Sequence, residues 1–239
     1  MTDVGLRTAL ASPDAKSRYV RRLFSTIADR YDLITVLLSY GLDRRWKRWL
    51  IALAAVGPGT SALDLACGTG DIAFGLAARG GSVVGLDITH RMVQLARKKG
   101  APRDPVRFLT GDMMALPFPA EQFDVVTTGY GIRNVPEIPP AIDEIFRVLK
   151  PGGLLLSLDF NRPAQPLVRG IYLGYLTFVG SALGLILHND PDTYRYIPES
   201  IRRYPGAERV AAMIRQRGFS TSESIPILGG LMAMHRATK

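Results

Sequence analysis

Short apolar runs alternate with stretches of helical periodicity through the middle of the chain. The strand-like runs are SALDLA at 61–66, SVVGLDI at 82–88, VRFLTGD at 106–112, FDVVTTGY at 123–130 and GLLLSLDF at 153–160. Between them, apolar residues at helical spacing predict helices over 70–79, 89–98 and about 136–149. Strands that alternate with helices in this way are typical of a parallel sheet with crossover helices.

The two ends of the chain depart from this alternation. Residues 17–56 repeat apolar side chains at helical spacing, so this segment is predicted to be helical. A further helix is predicted at about 206–217, followed by strand-like runs at 219–227 and 231–238. Only LGG separates these two runs, so they should pair as a hairpin in which one strand runs against the rest of the sheet.

Residues 161–204 interrupt the pattern and are predicted to form an insertion on the substrate side of the fold. Within them, residues 170–187 contain no charge, which reaches the lower length limit for a membrane span. The glycines in this stretch lower its helix propensity, and a span would separate the last strands from the sheet. The stretch is therefore interpreted as a buried or interfacial helical hairpin.

Composition limits the class of protein further. The chain has 239 residues, of which 47% are hydrophobic, and this predicts one domain over 18–239 after a flexible segment 1–17. Residues 18–56 would form a helical lid on that domain. A single cysteine and three histidines predict neither a disulfide framework nor a metal site. The N-terminal residues lack the apolar core of a signal peptide, so a cytoplasmic setting is expected.

The formal net charge of +9 favours an anionic partner, either a membrane or a nucleic acid. The sequence has no run of five basic residues, no zinc-finger spacing and no aromatic pattern of the single-strand-binding kind. No nucleic-acid partner is therefore predicted, and basic charge alone does not establish a membrane partner.

The glycine-rich stretch LDLACGTGDIA at 63–73 joins the first predicted strand to the first crossover helix. Gly68 and Gly70 lie where a residue without Cβ lets the backbone approach a ligand closely. The stretch also fits the G-x-G-x-x-G/A pattern of dinucleotide-binding proteins. Asp87 ends the next strand, where its carboxylate can accept the ribose hydroxyls of either a nicotinamide cofactor or S-adenosylmethionine.

Three further carboxylates favour S-adenosylmethionine over a dinucleotide. Asp64 in the first strand would repel a pyrophosphate but suits an ammonium group. Asp71 begins the following helix, at the position where a dinucleotide phosphate would bind. Asp112 ends the third strand and can accept a hydrogen bond from an adenine amino group. Capping of the loop and helix accounts for part of the role of Asp64 and Asp71.

Six stretches carry a resemblance to the ubiquinone/menaquinone biosynthesis C-methyltransferases of the UbiE/MenG type, over about residues 18–239. They are FSTIADRYDLITVLLSYGLDRRWKR, LDLACGTGD, GIRNV, RVLKPGGLLLSLDF, YRYIPESIRRYP and GGLMAMHR. The resemblance implies a class I S-adenosylmethionine-dependent methyltransferase fold, which is Rossmann-like with a mostly parallel seven-stranded sheet and one antiparallel strand. It also implies C-methylation of a polyprenyl hydroquinone, with demethylmenaquinol as the first choice and S-adenosylhomocysteine as the product. Because the isoprenoid tail of such a substrate lies in the bilayer, peripheral contact with the inner face of an anionic membrane is expected, and the net charge of +9 would favour it.

The expected site combines this resemblance with the positions of residues at the strand ends. The cofactor-binding residues are expected to be Asp64, Gly68, Thr69, Gly70, Asp87, Ile88, Asp112, Met113 and Gly129. Catalysis is assigned to Arg133, Asn134, Tyr31 and Asp32, and substrate contacts to Tyr130, Tyr194, Tyr196 and Arg202. Arg133 would stabilise oxyanion charge or only pair with a carboxylate, Tyr130 would line the site or pack in the core, and Asp32 would be a general base or a helix cap.

The sequence departs from the family pattern near its N-terminus. Ile34 and Thr35 stand where the family usually has Met-Asn, and Asp43 stands where it has a histidine. Other hypotheses stay open at this point: a methyltransferase for another phenolic or lipid acceptor, a donor-binding protein without catalysis, and an NAD-binding oxidoreductase. A homodimer is also left open.

Overall fold

Seven strands form one sheet in the computed structural model, which describes residue 6 and residues 11–39, 41–100 and 106–239. The strands are β1 Ser61–Leu65, β2 Ser82–Asp87, β3 Val106–Thr110, β4 Phe123–Gly129, β5 Leu149–Phe160, β6 Thr221–Ile227 and β7 Met232–Thr238. Their order is β3-β2-β1-β4-β5-β7-β6. Only β7 runs against its neighbours β5 and β6, so the predicted α/β fold with one reversed strand is confirmed.

The described helices follow the predicted alternation. They are α1 Pro13–Ile27, α2 Tyr31–Leu38, α3 Asp43–Leu53, α4 Asp71–Ala77, α5 His90–Lys99, α6 Ile138–Val148, α7 Pro166–His188, α8 Tyr196–Arg203 and α9 Ala207–Gln216. Short 3-10 turns occupy 28–30, 132–134 and 228–230. Most of the predicted flexible segment 1–17 lies outside the described residues, and α1 begins inside it at Pro13.

Side chains of the central strands divide the core into two layers. Leu63 and Leu65 of β1 face one side of the sheet, where they pack with apolar residues of α6 and α9. Ala62 faces the other side, where it packs with apolar residues of α3, α4 and α5. Because successive residues of a strand alternate between faces, Asp64 points to the same side as Ala62.

The three N-terminal helices cover this second side of the sheet. Their buried apolar positions include Leu23 of α1, Ile34 of α2 and Leu50 of α3, and all three belong to the same core cluster as the sheet. Leu23 and Ile27 recur at the spacing that places residues on one helix face. The helical prediction for this segment is confirmed, and α1 and α2 lie beside the carboxyl ends of the strands.

The uncharged stretch predicted as a helical hairpin is instead the single helix α7 of 23 residues, so this prediction is wrong. The glycines serve close packing rather than helix termination. A Cβ on Gly184 would clash with Asp190 O, and one on Gly180 would lie 3.2 Å from Tyr194 Cβ. These small residues let the chain after α7 return against the helix. The helix ends at His188 and is followed by Asn189 in the left-handed conformation with φ 52°.

By length and composition alone, α7 is the one helix in the described part of the chain that is long and apolar enough to cross a membrane. One of its faces packs on the domain through buried residues such as Tyr172, Leu173 and Leu176. The opposite face exposes Leu167, Ile171, Phe178, Leu185 and Ile186. We call these five exposed residues the α7 stripe, because their spacing places them along one side of the helix.

Candidate active site

A cavity lies at the carboxyl ends of β1, β2 and β4. This edge of an open parallel sheet is where α/β proteins bind ligands. Six of the nine residues predicted to bind the cofactor border it, namely Gly68, Asp87, Ile88, Asp112, Met113 and Gly129, whereas Asp64, Thr69 and Gly70 do not. Tyr130, predicted to contact the substrate, borders it as well. We call it the donor cavity.

The glycine turn between β1 and α4 forms one wall of the donor cavity. Gly68 and Gly70 both have left-handed backbone angles, with φ 53° and 90°. A Cβ on Gly70 would lie 2.8 Å from the Phe108 ring. Gly68 N donates a hydrogen bond of 2.9 Å to Asp87 Oδ2, which ties the turn to the end of β2. Both backbone conformations therefore favour glycine, and at Gly70 a side chain would also clash with Phe108.

Asp87 is buried at the end of β2 and organises two backbone segments. Its Oδ2 accepts from Gly68 N, and its Oδ1 accepts from Thr89 N at 2.8 Å. Burial raises the pKa of this carboxyl. Because a carboxylate has about four acceptor positions, each oxygen can accept a further hydrogen bond from a ribose hydroxyl.

Asp64 has an unusual environment on the lid side of β1. Its Oδ1 accepts a hydrogen bond of 2.8 Å from Thr127 Oγ1, while Oδ2 is buried and has no hydrogen-bond partner among the described residues. Burial raises the pKa of this carboxyl to about 7. Asp64 borders a small cavity with Gly68, Thr69 and Gly129. A buried acceptor without a donor fits a ligand that brings an ammonium group to this point.

Asp112 and Met113 follow β3 and lie on the opposite wall of the donor cavity. Asp112 Oδ1 accepts a hydrogen bond of 2.9 Å from Met114 N, which fixes the loop after the strand. Met113 is buried and apolar, so it can pack against a flat ring while the neighbouring carboxylate accepts from an amino group. This pair of properties fits an adenine.

A second cavity adjoins the first and is mainly apolar. It is lined by Leu23, Phe24, Ile27, Tyr31, Ile34, Thr35, Leu38, Tyr130, Arg133, Asn134, Phe160, Tyr194, Tyr196 and Ile197. Phe24, Tyr31, Tyr130 and Asn134 border both cavities, so the two cavities lie next to each other. We call this second space the acceptor cavity.

Arg133 is buried in the wall of the acceptor cavity and is paired with a carboxylate. Its Nε lies 3.2 Å from Asp159 Oδ1, and its backbone N donates to Asp159 Oδ2 at 3.0 Å. Its Nη1 donates to Ser200 Oγ, and the guanidinium lies 5.6 Å from the centre of the Phe160 ring. The carboxylate pairing considered from the sequence is therefore present, and the side chain also borders the cavity.

Asn134 links three of the predicted residues. Its Nδ2 donates to Tyr130 O at 2.7 Å, and its Oδ1 accepts from the Tyr196 hydroxyl at 3.0 Å. Tyr194 lies on the same wall, and its hydroxyl is 2.8 Å from His188 Nε2. The structure thus brings Tyr130, Asn134, Tyr194 and Tyr196 together around the acceptor cavity.

Two of the residues predicted for catalysis or substrate binding lie away from both cavities. Arg202 is on the exposed face of α8, where its Nη1 lies 3.4 Å from Glu199 Oε2. Asp32 is exposed on α2; its Oδ1 accepts from Thr69 Oγ1 at 2.6 Å and its Oδ2 lies 3.2 Å from Lys99 Nζ. The structure does not bring Arg202 to the acceptor cavity. Asp32 instead joins the N-terminal helices to the glycine turn.

Sequence reasoning missed a buried polar cluster beside the donor turn. Asp43 of α3 is buried, accepts a hydrogen bond of 2.7 Å from the Tyr130 hydroxyl and pairs with Lys47 Nζ at 2.8 Å. From the sequence alone, Asp43 was identified only as a departure from the family pattern. The spacing of Asp43 and Lys47, one helical turn apart, was the available signal for their pairing.

The strand order with reversed β7 and the ligand cavity at the strand ends define a class I S-adenosylmethionine-dependent methyltransferase fold. A solved SAM-dependent methyltransferase from Thermotoga maritima shares this fold with a TM-score of 0.66 and 19% sequence identity, and the match covers 92% of this chain and 99% of that one. A solved S-adenosyl-L-methionine-dependent methyltransferase from Methanococcus maripaludis shares it with a TM-score of 0.64 and 21% sequence identity, and the match covers 90% of this chain and 93% of that one. The chain belongs to the ubiE/COQ5 methyltransferase family, whose profile matches residues 12–239.

Proteins of similar sequence support this family assignment. The chain is 40% identical to a ubiquinone/menaquinone biosynthesis C-methyltransferase from Ectopseudomonas mendocina, over 94% of this chain and 90% of the relative. It is also 40% identical to the protein of the same name from Paracoccus denitrificans, over 100% of this chain and 96% of the relative.

Proposed function

We propose that this protein transfers the methyl group of S-adenosylmethionine to a ring carbon of a polyprenyl hydroquinone, with demethylmenaquinol as the preferred acceptor. The observation that carries the proposal is the shared wall between the two cavities. One cavity is lined by carboxylates at the strand ends and the other by apolar and aromatic side chains. This arrangement can hold a polar donor against an aromatic ring that carries an apolar tail.

Residues in and beside the donor cavity suit the groups of S-adenosylmethionine. Asp64 would bind the ammonium group, Asp87 the ribose hydroxyls, and Asp112 with Met113 the adenine. Gly68, Thr69, Gly70 and Gly129 would bring the backbone close to the ligand, and Ile88 would pack beside Asp87. The bound molecule supplies an activated methyl group on a sulfonium. The protein contributes position, which can account for several kcal/mol and at most ~7–11 kcal/mol of the barrier.

The acceptor cavity would hold the hydroquinone ring between Tyr130, Asn134 and Tyr196. A hydroquinone carbon becomes nucleophilic as its neighbouring hydroxyl loses a proton, because the oxygen then donates electron density into the ring. Arg133 would stabilise the negative charge on that oxygen, while Asp159 keeps the guanidinium fixed and paired before the ligand binds. Asn134 would orient a ring oxygen.

We further propose that the α7 stripe docks on an anionic bilayer. Its five apolar side chains are exposed, and Leu33 and Leu37 of the neighbouring helix α2 are exposed as well. No acidic residue occurs between Pro166 and His188. The chain carries a net charge of +9, and each well-placed basic residue adds about 1 kcal/mol to attraction by an anionic surface. A polyprenyl tail would remain in that bilayer.

Methyl transfer from labelled S-adenosylmethionine tests the proposed reaction. We expect label in a demethylnaphthoquinol that carries a prenyl tail, and less in the corresponding benzoquinol. Each acceptor is supplied reduced and, as the matched control, oxidised, because the oxidised ring carbon is not nucleophilic. Equal labelling of reduced and oxidised rings, or labelling of neither quinol, would overturn the proposal.

Vesicle cosedimentation tests the membrane contact. The wild-type protein should bind vesicles that contain phosphatidylglycerol, and Phe178→Asp should release most of it, because burial of this side chain is worth about 1.5–3 kcal/mol. Leu109→Asp is the matched control, since Leu109 is an exposed apolar residue on β3, away from α7. Equal binding of the Phe178 and Leu109 variants would contradict docking through α7, and unchanged binding to neutral vesicles would contradict the role of charge.

A further inference from the structure

A tyrosine and a buried carboxylate connect the acceptor cavity with the interior of the lid. Tyr130 borders both the donor and the acceptor cavity, and its hydroxyl donates to Asp43 Oδ1 at 2.7 Å. Asp43 Oδ2 lies 2.8 Å from Lys47 Nζ. The two oxygens of Asp43 therefore have different partners, one the Tyr130 hydroxyl and the other the Lys47 ammonium.

The backbone at Tyr130 is held in an unfavourable conformation. Its φ is 61°, in the left-handed region, which is unfavourable for a residue with a side chain. The hydrogen bond from Tyr130 N to Leu158 O and the contact of its ring with Phe160, at 5.4 Å between centres, hold it there. This conformation directs the ring between the two cavities and its hydroxyl at Asp43.

The electrostatics give the members of this cluster distinct protonation states. Burial, and then the charge of Asp43, raise the pKa of Tyr130 well above its ordinary value, so its hydroxyl keeps its proton. Burial opposes the charge of Lys47, yet the carboxylates of Asp43 and Asp71 raise the pKa of this ammonium. Tyr130 thus acts as a donor to Asp43, and Lys47 remains a cation beside it.

Charged side chains continue from Asp43 to the surface. Lys47 Nζ also lies 3.0 Å from Asp71 Oδ2, and Asp71 Oδ1 pairs with Lys99. The exposed fraction of the side chains rises along this series from 3% for Asp43 to 12% for Lys47, 32% for Asp71 and 43% for Lys99. The series gives the buried carboxylate a polar route to solvent.

We infer that Tyr130 and Asp43 form a proton relay for the acceptor, in which Tyr130 contacts the ring hydroxyl and Asp43 is the base. This inference rests on the proposed function, and it assigns the base to a residue that the sequence left without a role. Tyr130 is the catalytic residue, because it borders the space where the ring would lie. Asp43 acts through Tyr130, and Lys47 positions Asp43.

The relay balances protons and electrons as follows. The hydroxyl proton of the acceptor passes to Tyr130 Oη while the proton of Tyr130 passes to Asp43 Oδ1, and the O–H electron pair stays on the acceptor oxygen. The neighbouring ring carbon then bonds the methyl carbon, and the electron pair of the broken methyl–sulfur bond stays on sulfur. That ring carbon loses its hydrogen to water as a proton, which restores the aromatic ring, and the relay returns its proton to the oxygen.

Fluorescence of bound 2-naphthol tests the relay without methyl transfer. Excited 2-naphthol is a strong acid, and its anion emits at a longer wavelength than the neutral form. With excess wild-type protein we expect anion emission, and Asp43→Asn and Tyr130→Phe should reduce the anion-to-neutral ratio several-fold. Asp124→Asn is the control, because Asp124 is ion-paired with Lys150 at the opposite end of β4. Unchanged ratios in both relay variants would overturn the inference.

Kinetics with the quinol provide the second measurement. Removal of a general base typically costs about 10²–10⁴-fold, so kcat should fall by that order in Asp43→Asn while the affinity for S-adenosylhomocysteine stays within about twofold. Tyr130→Phe keeps the Asp43–Lys47 pair and serves if Asp43→Asn does not fold. Unchanged kcat in Tyr130→Phe contradicts the relay. A wild-type protein that methylates no quinol, yet shows the fluorescence differences, contradicts the proposed substrate and leaves the relay supported.

Discussion

The donor and acceptor cavities are formed by different structural elements. The donor cavity lies at the ends of adjacent parallel strands, and its shape depends on backbone turns at Gly68 and Gly70 and on carboxylates within a few residues of the strands. The acceptor cavity lies between α1, α2, α8 and the turn at 132–134. Sheet hydrogen bonds fix the first, whereas the second depends on contacts between side chains of separate elements.

Buried polar pairs hold the elements around the acceptor cavity together. Arg133 with Asp159 and Ser200 connects the turn after β4 to β5 and α8. Asn134 with Tyr196 makes a second connection to α8. Substitutions on the acceptor side should therefore affect folding together with binding. Substitutions of donor-side carboxylates that leave the backbone intact should affect binding alone.

The largest effect expected from this difference is at Arg133. In Arg133→Ala, Asp159 becomes a buried charge without its cation, and the free energy of unfolding should fall by about 3–5 kcal/mol. Arg236→Ala is the control, because its ion pair with Glu223 is exposed and should contribute about 0–1 kcal/mol. Urea unfolding of both variants measures the difference. Equal losses would show that the pair does not hold the acceptor side together.

Substitution of Asp64 should weaken donor binding without destabilising the fold. Asp64→Asn keeps the shape of the side chain but removes the charge that would bind an ammonium group, so the affinity for S-adenosylhomocysteine should fall by about 10- to 100-fold. Calorimetry measures this, with Asp124→Asn as the control carboxylate. The melting temperature should not decrease, because the charge of Asp64 is already unfavourable in its buried position. Unchanged affinity would remove Asp64 from the donor site.

The pH dependence of donor binding follows from the same carboxyl. Its pKa of about 7 lies above the ordinary value of 3.8, so between these values the folded protein holds a proton that the unfolded chain lacks. Stability from this group is therefore present at low pH and is lost as the pH rises through 7. Binding of an ammonium requires the charged form, so affinity should increase over the same interval and binding should release a proton. Calorimetry in two buffers of different ionisation enthalpy measures that proton, and Asp64→Asn should release none.

The smallest effect is expected at Asp32, which joins the N-terminal helices to the glycine turn. Asp32→Ala removes the partly buried hydrogen bond from Thr69 and the exposed contact with Lys99. Such contacts contribute about 1 kcal/mol or less, so affinity for S-adenosylhomocysteine should fall by at most about fivefold. Calorimetry checks this against Asp29→Ala, whose ion pair with Arg91 is exposed and does not reach the glycine turn. A loss as large as that of Asp64→Asn would mean that Asp32 contacts the donor directly.

The donor half could be predicted from the sequence because its features are local. The alternation of strands and helices, the glycines of the turn and the carboxylates at strand ends all lie within short windows of the chain. The Asp43–Tyr130 hydrogen bond joins residues 87 positions apart, and no periodicity encodes such a pair. Arg202 was misplaced for the same reason, since α8 turns Tyr196 inward and leaves Arg202 exposed. Helix α7 was misread because its glycines pack against Asp190 and Tyr194.

Helix α7 has the stripe on its outer side and, through the contact of Gly180 with Tyr194, a wall of the acceptor cavity on its inner side. A helix with its side chains is only about 10–12 Å across. With α7 docked as proposed, the ring would leave the lipid by about one helix diameter, and most of the prenyl tail would never enter water. Exposing each methylene would cost about 0.8 kcal/mol. Turnover should therefore depend little on the number of isoprene units beyond the first few.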